Sequence, residues 1–303
     1  MAPESSVVAV GVFDGLHRGH QAILQRALER ARERRMRAGV VSFDPHPDVV
    51  LHKGSFRALP PLLPASEKRR RLLARGAAWI DVIPFTRELA ALGPDEFCAR
   101  HLIEAHGMTH MVVGEDFALG RGRAGNTTYL RALGERAGFT LETVPWVLDG
   151  GEPVTSTRIR EALSGGRVAE AARLLGRAYG LTGSVVTGHA VGRSLGYPTA
   201  NLRLHEEQWL PMDGVYVARA EVQGTTWPAA MSIGTRPTFG GDERALEAFL
   251  LDFAGDLRGR SLTVELLDWV RPQERFESPA ALVQAMDRDV ARVREHFAGA
   301  ERA

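Results

Sequence analysis

Short, almost wholly apolar runs separated by amphipathic stretches fill the first half of the chain. Val7-Val8-Ala9-Val10, Val40-Val41-Ser42-Phe43 and the runs at 79–84 and 110–114 have the length and branched or aromatic content of strands, and 139–144, which mixes in Thr140, Glu142 and Thr143, is expected as a fifth. Between them the apolar period becomes helical. Ile23, Leu24, Ala27, Leu28 and Ala31 form one stripe, predicting a helix over 21–37 that Gly39 stops. Ser66 is expected to cap a second helix over 66–76. Pro94-Asp95-Glu96-Phe97 is expected to start a third, running toward Gly107. Strands alternating with helices predict a parallel, doubly wound α/β sheet. A helix opening at Thr155-Ser156-Thr157 and a short one over 169–175 follow.

The pattern then changes. Short alternating runs at 183–187, 214–218, 227–233, 246–251 and 261–267 are punctuated by Gly, Pro and Asp, the signature of an antiparallel sheet or small barrel. Ser278-Pro279 predicts the start of a last helix whose buried stripe is Leu282, Val283, Met286, Val290, Val293 and Phe297. The junction is expected within 176–180, giving domains 1–178 and 179–303.

Composition adds limits. The 303 residues, 44% of them apolar, can build two cores. A formal net charge of +1 gives no overall field for nucleic acid or an anionic membrane, so neither is expected as a partner. One cysteine, Cys98, allows no internal disulfide and fits a reducing compartment. With no cationic leader and no apolar run of about 18 residues, a soluble cytoplasmic protein is expected. Oligomeric state is left open.

Two clusters carry candidate chemistry. In the first, Gly11-Val12-Phe13-Asp14-Gly15-Leu16-His17-Arg18-Gly19-His20 reads as a strand, a glycine-rich turn and a helix start. Helix N-termini offer unpaired N–H groups to phosphates, and His17 and His20 lie three apart on one side of the first turn. Metal ligation and ordinary helix-start polarity remain as alternatives. Ser156, Thr157 and Arg160 add hydroxyls and a cation at another helix start, which helix capping alone would also explain. Glu115-Asp116-Phe117 follows a predicted strand directly. The G-x-G-x-x-G run at 120–125 lacks the tight strand-to-helix turn of a dinucleotide site and is expected as a basic loop.

In the second cluster, Gly188-His189-Ala190-Val191-Gly192-Arg193 resembles a phosphate cradle without being a P-loop. Thr199 and Asn201 face the same way in an extended segment, and their oxygens suit a magnesium ion that takes its remaining ligands from phosphate and water, with a turn in which Asn201 bonds locally as the alternative. Glu247 points opposite to Leu246 and Ala248 in its strand, so it is either a general base or a surface carboxylate.

With Phe43-Asp44-Pro45-His46-Pro47, Tyr197-Pro198-Thr199-Ala200-Asn201, Asp213-Gly214-Val215-Tyr216 and Ile233-Gly234-Thr235-Arg236-Pro237-Thr238-Phe239, these segments resemble the bacterial bifunctional riboflavin kinase / FAD synthetase (FMN adenylyltransferase) family, from Val7 to about Phe297. The resemblance implies a Rossmann-like nucleotidyltransferase domain, then a six-stranded antiparallel β-barrel with a C-terminal helix. It implies that riboflavin and ATP give FMN, and that FMN and a second ATP give FAD and pyrophosphate. Thr199 and Asn201 would then hold Mg2+ with ATP, Gly188 and Arg193 would lie at the kinase nucleotide, and Glu247 would be the base. His17 and His20 would act in the adenylyl step. Gly11, Phe13 and Asp116 would lie at its nucleotide, and Ser156, Thr157 and Arg160 at its phosphates. The sequence departs from the family at Val12, Thr155, Ser232, Phe249 and Arg258; the last two flank Glu247. The alternative is an FMN adenylyltransferase whose barrel binds flavin without catalysis.

Overall fold

The computed structural model describes residues 4–51, 59–187, 192, 195–235 and 244–300. The chain divides into two compact units, Met1–Ser156 and Thr157–Ala303.

The first unit is built on five parallel strands: β1 (Ser6–Val10), β2 (Arg37–Asp44), β3 (Trp79–Pro84), β4 (Met108–Gly114) and β5 (Thr140–Val144), in the order β3-β2-β1-β4-β5. Every residue of β1 is buried, as a central strand covered on both faces requires. Helix α1 (Arg18–Arg34) lays Leu24, Ala27, Leu28 and Ala31 on one face of the sheet, against Val7, Ala9 and Val40. The other face packs Val8, Val10, Met111 and Val113 against Phe97, Leu102 and Leu130.

Two boundary expectations are corrected. Helix α1 begins before residue 21 and ends at Arg35, whose backbone turns left-handed (φ 54) and donates to Ala31 O. Gly39 is not the stop. It lies inside β2, where an added Cβ would come within 2.0 Å of the Trp79 ring. The second predicted helix, α2 (Ala65–Ala74), is preceded by Pro64, and Ser66 lies within its first turn rather than at its N-cap. Proline holds the extended backbone a cap position needs, and its carbonyl accepts from Lys68 N at 2.8 Å. The third helix starts at Pro94 as expected, and from Cys98 to Glu104 it is π-wound.

The second unit begins with helices α3 (Ser156–Ser164, its first residue in the first unit) and α4 (Val168–Leu175). Six antiparallel strands follow: β6 (Tyr179–Val186), β7 (Ala200–Leu204), β8 (Gly214–Val222), β9 (Thr225–Thr235), β10 (Arg244–Leu250) and β11 (Ser261–Pro272). They close a barrel in the order β6-β7-β10-β9-β8-β11. Strict alternation in β6 and β10 sends Leu181, Val185, Leu246, Ala248 and Leu250 into the barrel core. Helix α5 (Pro279–Ala300) starts as predicted, with Ser278 Oγ accepting from Ala281 N at 3.2 Å. Its Val293 packs outside the barrel on Val217 and Leu251.

Candidate active sites

In an open parallel sheet, ligands bind beyond the carboxyl ends of the strands where the strand order reverses. Here β1 has β2 on one side and β4 on the other, and a cleft of about 640 Å³ opens at that point. Gly11, Phe13, His17, His20, Asp116 and Ser156 all line it.

The turn after β1 departs from ordinary geometry. Phe13 (φ 52), Gly15 (φ 74) and Leu16 (φ 44) are left-handed, a cost of about 1–3 kcal/mol for each non-glycine residue. Burial of Phe13 and Leu16 holds them there, as does the Asp14 carboxylate, which accepts from Leu62 N at 2.8 Å. The turn delivers His17 as the N-cap of α1, its Nδ1 accepting from His20 N at 3.4 Å. The two imidazoles stack, with centroids 3.6 Å apart and planes at 22°. Gly19 makes this possible, since a Cβ there would lie 3.1 Å from His17 Cε1.

Burial, then the neighbouring His17, then Lys68 hold the His20 pKa well below its usual 6.5, so His20 is neutral at pH 7 in the free protein. Its Nδ1 is buried with no hydrogen-bond partner among the described residues. An unmade hydrogen bond of that kind costs about 1–3 kcal/mol, which a bound polar ligand removes. Ser156 Oγ donates to Asp14 O at 3.0 Å, tying the end of this unit to the histidine turn. Arg123 donates to Asp116 O at 2.8 Å from the 120–125 loop, whose 3-10 turn (Arg121–Arg123) links two short antiparallel strands, 118–119 and 125–126.

Thr157 and Arg160 belong to the second unit, where the Arg160 guanidinium lies 5.4 Å from the Trp209 ring centroid. Gly188 and Arg193 lie outside the described residues, as does 236–239 of the segment that begins at Ile233.

On the outer face of the barrel, Thr199, Asn201 and Glu247 come together. Asn201 pairs with Glu247 across β7 and β10, and Thr199 Oγ1 donates to Glu247 Oε2 at 3.2 Å. Glu247 is half-buried, not a free surface carboxylate. Gly192 tightens the turn before it: its carbonyl accepts from Tyr197 N at 2.7 Å, and a Cβ would meet Tyr197 O at 2.3 Å. Phe249, on the same face as Glu247, packs edge-on against Tyr197, whose hydroxyl bonds the Asp287 carboxylate of α5. Arg258 is ion-paired with Asp256 at 2.6 Å. Ser232 lies across from Glu247 and accepts from Gln273 at 2.8 Å.

Residues 1–158 match the family model for FAD synthetase, and residues 175–297 match the one for riboflavin kinase. The chain belongs to the bifunctional riboflavin kinase/FMN adenylyltransferase family. The relative from Pseudomonas fluorescens is 39% identical over 95% of this chain and 92% of its own length. That from Escherichia coli K12 is 36% identical, covering 97% and 93%. A crystal structure from Streptococcus pneumoniae, described as a macrolide-efflux protein, superposes with a TM-score of 0.89 at 34% identity, covering 97% of this chain and 95% of that one. Efflux is a description of that protein. Among the described residues here, no helix is long and apolar enough to cross a membrane.

Sequence reasoning missed Lys68. In sequence it is one more cation in the basic run 68–71, and nothing marks it as the one that turns inward. It also missed Trp146, on the wall of the cleft, which no periodicity links to the histidine turn.

Proposed function

We propose that the chain phosphorylates riboflavin to FMN at the barrel and adenylylates FMN to FAD at the cleft, with one ATP consumed in each step. The observation that carries this reading is the pairing, in chain order, of two separately built sites: stacked histidines over a cleft, and a carboxylate beside a threonine and an asparagine. The adenylyl step is assigned to residues 1–178, the kinase step to residues 179–303, and the chain to the cytoplasm.

The two steps ask for different groups. The ribityl alcohol of riboflavin is a poor nucleophile, so its transfer to phosphorus gains from a carboxylate within hydrogen-bond reach. Glu247 accepts that proton. Thr199 and Asn201 carry hard oxygen donors beside it, the donor chemistry that Mg2+ prefers, and these two would hold the ion. Bound there, Mg2+ would neutralise charge on the ATP phosphates. Gly188 and Arg193 are assigned to that nucleotide.

FMN brings an ionised phosphate and needs no base. The adenylyl step needs positioning and stabilisation of charge on the α-phosphate as pyrophosphate departs. Gly11 and Phe13 shape the floor under the nucleotide, and Asp116 lies beside it. His17 and His20 meet the phosphates, His20 entering as a neutral hydrogen-bonding group. Ser156, Thr157 and Arg160 are assigned to the same phosphates.

The experiment is direct. Riboflavin, ATP and magnesium are supplied to the full chain, and flavins are followed by chromatography. FMN appears first and FAD second. FAD from supplied FMN, with no FMN from riboflavin, would leave the barrel as a flavin-binding module only.

A further inference from the structure

We propose that Lys68 is a positioning residue for adenylyl transfer: its ammonium ties the carboxyl ends of β1 and β2 together beneath the cleft and sets the charge environment in which His20 works. The inference rests on the assignment of the cleft to that step.

Helix α2 is basic, and none of its arginines is buried as Lys68 is. Arg70 and Arg71 bond Glu67, and Arg69 donates to Ile80 O. Lys68 turns inward and is 5% exposed. Lysine is seldom buried to that degree, because a desolvated ammonium is costly unless its donors are used and its charge is answered. Here both hold. Nζ donates to Val12 O at 3.2 Å, to Ser42 Oγ at 3.2 Å and to Phe43 O at 3.5 Å. Ser42 Oγ donates in turn to Val12 O at 2.9 Å.

These acceptors are not scattered. Val12 immediately precedes the left-handed Phe13, and Val12, Phe13 and Phe43 line the cleft. One ammonium thus fixes the last carbonyl before the strained turn to the end of the neighbouring strand. A loosened Val12 carbonyl would move Phe13 and the two imidazoles that follow it.

The charge has a second consequence. Burial lowers the Lys68 pKa from its usual value, and the carboxylates of Asp14 and Asp44 offset part of that pull toward the neutral form. Beyond burial, which acts most strongly, His17 and then Lys68 are the charged or titratable groups among the described residues that act on His20, and both disfavour a proton there. The ammonium therefore helps keep His20 neutral, with its buried Nδ1 unpaired among the described residues, before substrate arrives.

The test uses the full chain, measuring FMN-to-FAD and riboflavin-to-FMN rates on the same sample across pH. Lys68→Met keeps the length and removes the charge and the hydrogen bonds. FMN adenylylation should lose about tenfold or more in kcat, from misplaced groups, while the kinase rate stays within about twofold. The acid limb of the adenylylation profile, where His20 gains a proton, should move to higher pH. Lys68→Arg should return that limb toward its original position.

Unchanged adenylylation with an unmoved limb would overturn the proposal, as would equal loss of both activities. Should Lys68→Met not fold, Ser42→Ala removes one acceptor and the Ser42–Val12 bond. Slower adenylylation with a normal kinase rate supports the clamp, and an unaltered rate overturns it. Full FAD formation by a His17→Ala, His20→Ala chain would instead sink the assignment of the cleft itself.

Discussion

Among the described residues, a bidentate ion pair between Arg271 and the buried Asp289 ties helix α5 to the barrel, and breaking it should be costly. Arg271, near the end of β11, donates Nε to Asp289 Oδ1 at 2.9 Å and Nη2 to Asp289 Oδ2 at 2.8 Å. Asp289 is 5% exposed and the Arg271 side chain 19%. A bidentate pair of this kind is strong because its geometry is fixed, yet its net worth is small, since both ions had to leave water. Removing one partner is a different matter. Arg271→Met leaves a buried carboxylate uncompensated, for a loss of about 3–5 kcal/mol. For a unit of this size that lowers Tm by roughly 10 °C. Replacing both residues, Arg271→Met with Asp289→Leu, should recover most of the loss, because well-packed apolar groups replace buried pairs at little or no net cost. The assay is thermal inactivation of FMN formation from riboflavin, read beside FAD formation from FMN. The kinase step should fail at the lower temperature and the adenylyl step should not. A loss below about 1 kcal/mol for Arg271→Met, the range of an exposed pair, would refute the argument that burial makes this contact costly to break.

Glu247→Gln keeps an oxygen to accept from Thr199 and removes the base; FMN formation should slow by about 10²–10⁴-fold with FMN-to-FAD conversion unchanged, measured as initial rates by chromatography. Gly19→Ala should separate stability from activity: alanine favours the helix by up to about 1 kcal/mol, yet its Cβ presses on the His17 ring, so Tm should hold or rise while adenylylation falls. Glu142 governs acid behaviour. Burial alone would raise its pKa, but hydrogen bonds from Arg30, Arg26 and His110 outweigh burial and lower it from the usual 4.5 to about 2. A carboxyl depressed on folding stabilises fully above its unfolded pKa, so that contribution should disappear as pH falls from about 4.5 toward 2. Glu142→Gln should flatten the acid side of the stability curve, followed by circular dichroism.

What the sequence made legible follows from the kind of signal each feature leaves. The inner strands β1 and β2 carry apolar runs because both faces are covered, whereas edge strand β5 (Thr140-Leu141-Glu142-Thr143-Val144) has no buried residue and left a weaker signal. Helix boundaries were less visible. Gly39 resembles a helix stop, yet it is glycine because the Trp79 ring lies over it from a strand 40 residues away. Pro64, not Ser66, precedes α2, which a capping pattern cannot reveal when the cap bonds through its backbone. The His17–His20 pair was readable as a motif, but its stacking and the neutrality of His20 depend on left-handed Phe13 and Leu16, which φ-blind residue patterns do not encode. Lys68 and the Arg271–Asp289 pair were missed for one reason: whether a charge faces inward is decided by tertiary packing, not by its neighbours in the chain.

The central claim is that two pockets act independently in one chain, and mixing two damaged chains tests it most directly. A Glu247→Gln chain and a His17→Ala, His20→Ala chain are each given riboflavin, ATP and magnesium, alone and together. Neither alone should make FAD at an appreciable rate, and the mixture should make it, with FMN released by one chain and used by the other. FAD made freely by either variant alone, or none from the mixture while the histidine variant still releases FMN, would contradict the account.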